Sequence, residues 1–202
     1  VPFWSWNDDL QPEELVRQID TMKEKGIGGF FMHARGGLKT EYLSERWFDC
    51  IRACVEESKK VNMNAWSYDE NGWPSGFVGG KLLEDEKNRE NYLTFKNGVF
   101  DENSLVSYDI SSDNIKRLKK GDKCDNALNI YKNTSLTTVD ILDDKVVDRF
   151  IAETHEKYEK YFDGKLSEYI KGFFTDEPQY YGTATPYPHL IKEYFRKNYD
   201  AD

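Results

Sequence analysis

Three apolar runs in this chain end abruptly in polar side chains, and that pattern constrains the fold more than any other feature. Ile27-Gly28-Gly29-Phe30-Phe31-Met32 leads into His33-Ala34-Arg35, and Met63-Asn64-Ala65-Trp66-Ser67-Tyr68 leads into Asp69-Glu70. Ile170 to Thr175 leads into Asp176-Glu177-Pro178. Runs of this length without strict alternation suit parallel strands covered on both faces. Pro178 cannot continue a central strand and sets a strand end at the two carboxylates. Phe3 to Trp6 is a further short strand, followed by the turn formers Asn7, Asp8 and Asp9.

Helical patterns lie between these runs. Pro12 suits a first helical turn, Leu15, Ile19 and Met22 recur at helical spacing, and Gly26 ends the segment. Ser44 caps a second helix with Trp47, Ile51, Cys54 and Val55 on one face. A third begins near Lys145, with Val147, Phe150, Ile151, Thr154, Tyr158 and Phe162 inward, and His189 to Tyr199 forms another. Strand–helix alternation predicts βαβ units. The expected fold class is therefore α/β: a TIM-type (β/α) barrel, of which this chain supplies the first four units.

Three segments follow from this reading. Residues 1–80 hold the first three strands, 81–144 form a polar, β-rich insertion after strand 3, and 145–202 hold the helix, the fourth strand and a last helix. Together they are expected to form one structural domain. The chain starts directly on a strand, without a Met or a leader, and reads as a piece of a longer multidomain protein. A half-barrel has two open sheet edges, through which two copies can pair.

Composition narrows the partners. A net charge of −9 argues against nucleic acid, because a phosphate backbone needs cations. The basic cluster Lys116-Arg117-Lys119-Lys120 reads as solvated surface. No segment has the length of a membrane-spanning helix. Aromatic residues make up 15% of the chain, which suits both a rich core and a sugar-stacking cleft. Cys50 and Cys54 share a helix face as small hydrophobes, and with Cys124 they show no metal or disulfide spacing.

In (β/α) barrels, chemistry sits at the C-terminal ends of strands. Glu177 is the candidate general acid, because glycoside hydrolysis needs a carboxylic acid to protonate the leaving oxygen. Asp176 beside it either shifts the proton affinity of that acid or binds substrate or metal. Asp69 and Glu70 form a second pair, with substrate contact and loop-scaffold roles equally open. His33 suits contact with substrate hydroxyls, Arg35 suits a carboxylate partner, and Trp73 suits stacking on a sugar ring. His155 reads as structural, and His189 receives no role.

Four motifs occur here in an order that resembles large bacterial glycoside hydrolases: Phe3-Trp4-Ser5-Trp6-Asn7, Gly28 to Arg35, Tyr68 to Gly76, and Phe174 to Pro178. The chain resembles the catalytic barrel of α-L-rhamnosidase-like enzymes of glycoside hydrolase family 106, and Thr154-His155-Glu156 also fits. The resemblance implies a (β/α)8 barrel, inverting hydrolysis of a terminal sugar from a polysaccharide or glycoside by two glutamates, and calcium at the active site. It carries Glu177 over as the acid, and His33, Asp69, Glu70 and Trp73 as lining of the sugar pocket. The second glutamate is expected on a later strand, past the end of this chain. Two other classes stay open. One is a metal-dependent sugar isomerase or epimerase with His33, Asp69, Glu70 and Asp176 as ligands. The other is a non-catalytic carbohydrate-binding barrel.

Overall fold

β1 (Phe3–Trp6), β2 (Gly29–Ala34), β3 (Asn64–Asn71) and β8 (Phe173–Phe174) pair in parallel in the order β1-β2-β3-β8. The computed structural model describes residues 1–180 and 185–199. It divides into two compact units, Val1–Glu84 with Lys145–Pro178 and Asp85–Asp144 with Gln179–Asp202.

The first unit holds the parallel sheet with α1 (Pro12–Glu24), α2 (Glu45–Lys60), α3 (Asp144–Glu153, from Lys145 on), α4 (His155–Tyr161) and α5 (Leu166–Tyr169). Pro12 opens α1 where its missing N–H costs nothing, and Gly26 adopts a left-handed φ of 81° just past the helix end. The Ser44 hydroxyl caps α2 by accepting from the Trp47 N–H at 3.2 Å. The register pairs Phe3 with Phe31, Trp4 with Met32 and Trp6 with Ala34. Because strand side chains alternate, Trp6, Phe30, Met32, Ala34 and Ala65 share one face with Ile19, Trp47, Ile51 and Tyr158 of the helices. Each fully buried aliphatic side chain there contributes roughly 1.5–3 kcal/mol. The opposite face carries Phe3, Phe31, Trp66, Tyr68 and Phe174. Phe3 lies 5.3 Å from Phe31 and 5.0 Å from Phe174, and Phe3 remains 50% exposed. β2 and β3 approach so closely that a Cβ on Gly29 would stand 2.6 Å from the Asn64 carbonyl oxygen.

The second unit is antiparallel. β4 (Arg89–Gly98), β5 (Val106–Asp109), β6 (Lys116–Arg117), β7 (Ala127–Val139) and β9 (Thr185–Pro186) lie in the order β6-β5-β7-β4-β9, with α6 (Ile191–Tyr199) after β9. β4 and β7 form its long central pair, from Asn91 opposite Thr134 to Gly98 opposite Ala127.

The expected TIM-type (β/α) barrel is not formed. The described residues make an α/β combination of one four-stranded parallel sheet and one five-stranded antiparallel sheet. Strand–helix alternation specifies parallel pairing, but closure also requires strand number, tilt and stagger to agree. Here β8 contributes only two residues to the sheet, against the six expected. Local expectations shift as well. The single helix from Lys145 breaks at Thr154, whose hydroxyl bonds back to the Phe150 carbonyl at 2.6 Å. Val146 is buried in place of Val147 and Ile151, which are 38% and 39% exposed.

Candidate functional site

Strand alternation sorts the polar residues at the β3 and β8 ends onto two faces. Ser67, Asp69, Phe173 and Thr175 point toward the helices, whereas Tyr68, Phe174 and Asp176 point to the open face.

Asp69 is fully buried on the helix side. Its Oδ1 accepts from the Ser75 hydroxyl at 2.6 Å, and its Oδ2 accepts from the Thr175 hydroxyl at 2.5 Å. His155 Nε2 lies 3.3 Å from the same Oδ2, and its Nδ1 lies 3.1 Å from the Thr154 hydroxyl. Ser75 Oγ in turn accepts from the Asp176 N–H at 2.9 Å, and the Ser75 N–H donates to the Asp176 carbonyl at 2.9 Å. Asp69 thus ties the loop after β3 to the segment after β8.

Glu70 is also fully buried. Its Oε2 accepts from the backbone N–H groups of Gly76, Phe77 and Val78 at 3.0, 2.9 and 2.8 Å. Its Oε1 accepts from the N–H groups of Asn71, at 2.9 Å, and of Gly79. Burial pushes its pKa up, and these amides pull it down. Both oxygens are occupied by the loop, so Glu70 has the geometry of a scaffold. Of the pair, it is Glu70 that takes the backbone amides of the loop after β3.

The open face carries a different set. The Tyr68 hydroxyl donates to Asp176 Oδ2 at 2.8 Å. Burial first, and then the Asp176 carboxylate, raise the Tyr68 pKa and keep the phenol protonated. The Tyr68 ring stacks on His33 with centroids 3.5 Å apart, and Phe3 stands edge-on to both rings. His33 is buried, and its Nε2 has no hydrogen-bond partner among the described residues. Burial pushes its pKa down to about 4, with the Arg35 charge adding to the shift and a hydrogen bond to the Gly72 backbone opposing it. A bond that favours the charged ring is one the ring donates. The neutral ring therefore offers Nε2 as an acceptor.

Arg35 is exposed beyond the end of β2, and its N–H donates to the Trp6 carbonyl at 3.0 Å. Trp73 is 48% exposed in the loop that Glu70 organises. Glu177 is exposed and holds a left-handed backbone, with φ 45°. Tyr68 and Ser75 enter the sequence reading only as members of a motif and His155 as structural, so none of the three receives a site role from its sequence context. Alternation along β3 and β8 pairs Tyr68 with Phe174, a signal present in the sequence once the strands are known to be neighbours.

Both carboxylate oxygens of Asp69 and of Glu70 are engaged by protein donors. Among the described residues, no three His, Cys, Asp or Glu side chains stand together as a cation site. Among them, too, no helix is long and apolar enough to cross a membrane.

No family model and no curated protein matches the chain. Among solved structures it is similar to the rhamnosidase from Novosphingobium sp. PP1Y, with 20% identity and a TM-score of 0.38. That likeness covers 53% of this chain, and the chain spans 11% of the length of that one.

Proposed function

We propose that the chain carries part of a glycoside hydrolase site, with Glu177 as the general acid and a neutral or deoxy sugar as the unit recognised. The observation that carries this reading is the backbone at Glu177. A non-glycine residue with φ 45° costs roughly 1–3 kcal/mol and persists where its surroundings hold it. Here the hold is the reciprocal pairing of Ser75 and Asp176 immediately before it. The exposed carboxyl of Glu177 is thus set on a fixed base at a strand end, which a proton donor to a glycosidic oxygen requires.

The neighbouring groups suit a sugar. His33, neutral near pH 7 and stacked under Tyr68, backs the ring that holds Asp176. Asp176, pinned through Oδ2 by Tyr68, offers Oδ1 to a second hydroxyl. Trp73 offers an exposed indole face for C–H stacking, and Arg35 donates to ring or anomeric oxygens. Asp69, Glu70, Ser75 and His155 hold this arrangement in place. The sequence motifs that resemble α-L-rhamnosidase-like enzymes point to the same class.

The metal-dependent isomerase reading needs Asp69 and Glu70 as ligands, and their oxygens are already hydrogen-bonded. The test is hydrolysis of nitrophenyl glycosides, α-L-rhamnoside included, by the full-length protein and its Glu177→Gln variant. Loss of turnover by about a hundredfold or more supports the acid role. Unchanged turnover removes it. Sugar binding without hydrolysis of any glycoside favours a binding module.

A further inference from the structure

We propose a second, separate ligand site in the antiparallel unit, for an organic anion with an apolar body. It does not rest on the glycosidase reading. A cavity of about 530 Å³ lies between the sheet and α6. Cavities that enclose small organic ligands run from about 300 to 1,000 Å³. Its apolar lining includes Leu93 of β4, Val106 of β5, Ile130 of β7 and Phe195 of α6.

Charge specifies the other half of the ligand. Arg117 and Lys192 both line this cavity, from β6 and from the first turn of α6, and no Asp or Glu lines it among the described residues. Both cations are exposed, and among the described residues neither side chain has a carboxylate partner. In a chain of net charge −9, Arg117 and Lys192, together with Arg196, which also lines the cavity, form a local inversion of sign with no acid among the described lining residues. An anionic head seated between Arg117 and Lys192 gains charge-assisted hydrogen bonds, and its hydrocarbon body leaves water against Leu93, Val106, Ile130 and Phe195. A neutral amphiphile gains only the second part, and a hydrophilic anion only the first. This unites two features that the parallel unit does not use: the basic cluster around Lys116-Arg117 and the apolar inner face of α6.

Calorimetric titration of the full-length protein with octanoate, octanesulfonate and 1-octanol tests the site. Octanoate and octanesulfonate are expected to bind at least tenfold more tightly than octanol. Arg117→Ala with Lys192→Ala is expected to reduce both anions to the level of octanol, while octanol itself is unchanged. The octanol titration also reports that the variant cavity is intact. Ile130→Asp, which places an acid in the floor, is expected to abolish binding of all three, with folding checked by circular dichroism. Equal binding of octanoate and octanol overturns the proposal, as does octanoate binding that survives the double substitution. No binding of either anion overturns it too, and in that case sedimentation that reveals paired copies through this groove assigns the surface to self-association.

Discussion

The Tyr68 hydroxyl donates to Asp176 Oδ2 across 2.8 Å, and this bond joins the ends of two neighbouring parallel strands on the open face of the sheet. It fixes one oxygen of the acid that immediately precedes Glu177. Tyr68→Phe removes the donor and keeps the ring stacked between His33 and Phe174. A hydrogen bond to a charged group is worth about 1.5–3 kcal/mol. The expected result is a tenfold to hundredfold loss of turnover on the best glycoside, with urea unfolding shifted by less than about 2 kcal/mol. A stability loss with unchanged turnover assigns the pair to scaffold alone.

Glu70 should behave as the opposite of Glu177. Glu70→Gln places an amide group where backbone N–H donors converge, leaving at least one buried donor without an acceptor. The expected loss of stability is about 3 kcal/mol or more, with faster hydrogen exchange in residues 71–79. Wild-type exchange in that loop would remove the scaffold assignment.

Glu177→Gly relieves a strained left-handed backbone. Glycine adopts that conformation without a Cβ clash, so the variant should gain about 1 kcal/mol of stability while losing hydrolysis. Stability and activity that rise together would argue that the carboxyl does no chemistry.

His33 supplies the pH dependence. Its pKa is about 4 in the folded chain against 6.5 for the free side chain, so between these values the unfolded chain binds more protons. Stability therefore rises with pH across this window. The contribution of His33 is complete above about pH 6.5 and is lost as the pH falls through about 4, a change of up to about 3 kcal/mol. His33→Gln does not titrate, so the difference between the two urea-midpoint profiles should change across this window and stay constant above it. Parallel profiles would show that the ring protonates freely in the fold.

Asp69→Asn tests the buried link to His155. The amide keeps oxygen toward one hydroxyl and loses the charge that His155 faces at 3.3 Å. Expected is a loss of about 1–3 kcal/mol, together with displacement of the His155 ring resonances in NMR spectra. Unmoved His155 resonances would mean that the contact does no work in solution.

Much of the secondary structure was legible because it rests on local periodicity. Phe3–Trp6 is a strand as read, Leu15 and Ile19 face the core from α1, and Trp47, Ile51, Cys54 and Val55 do so from α2. Barrel closure was not legible, since it depends on stagger and strand count that no local window encodes. The two acid pairs were visible as acids, but their orientation was not. One residue of register exchanges the two faces of a strand, and the Asp69–Glu70 pair illustrates this. Its first member runs to Thr175 and His155, more than eighty residues away, and its second turns back onto its own loop.

The amino-acid sequence by itself determined where the first three parallel strands and the two helices between them lie, and that polar groups gather at the strand ends. Period and turn chemistry act over a few residues and need no partner. Only the tertiary structure decided that Asp69 and Glu70 are locked into scaffold bonds while His33 and Asp176 stand with Tyr68 on the open side. A buried acid goes to whatever donors the fold brings within about 3 Å, and the neighbours of β3 are set by strand pairing across the sheet.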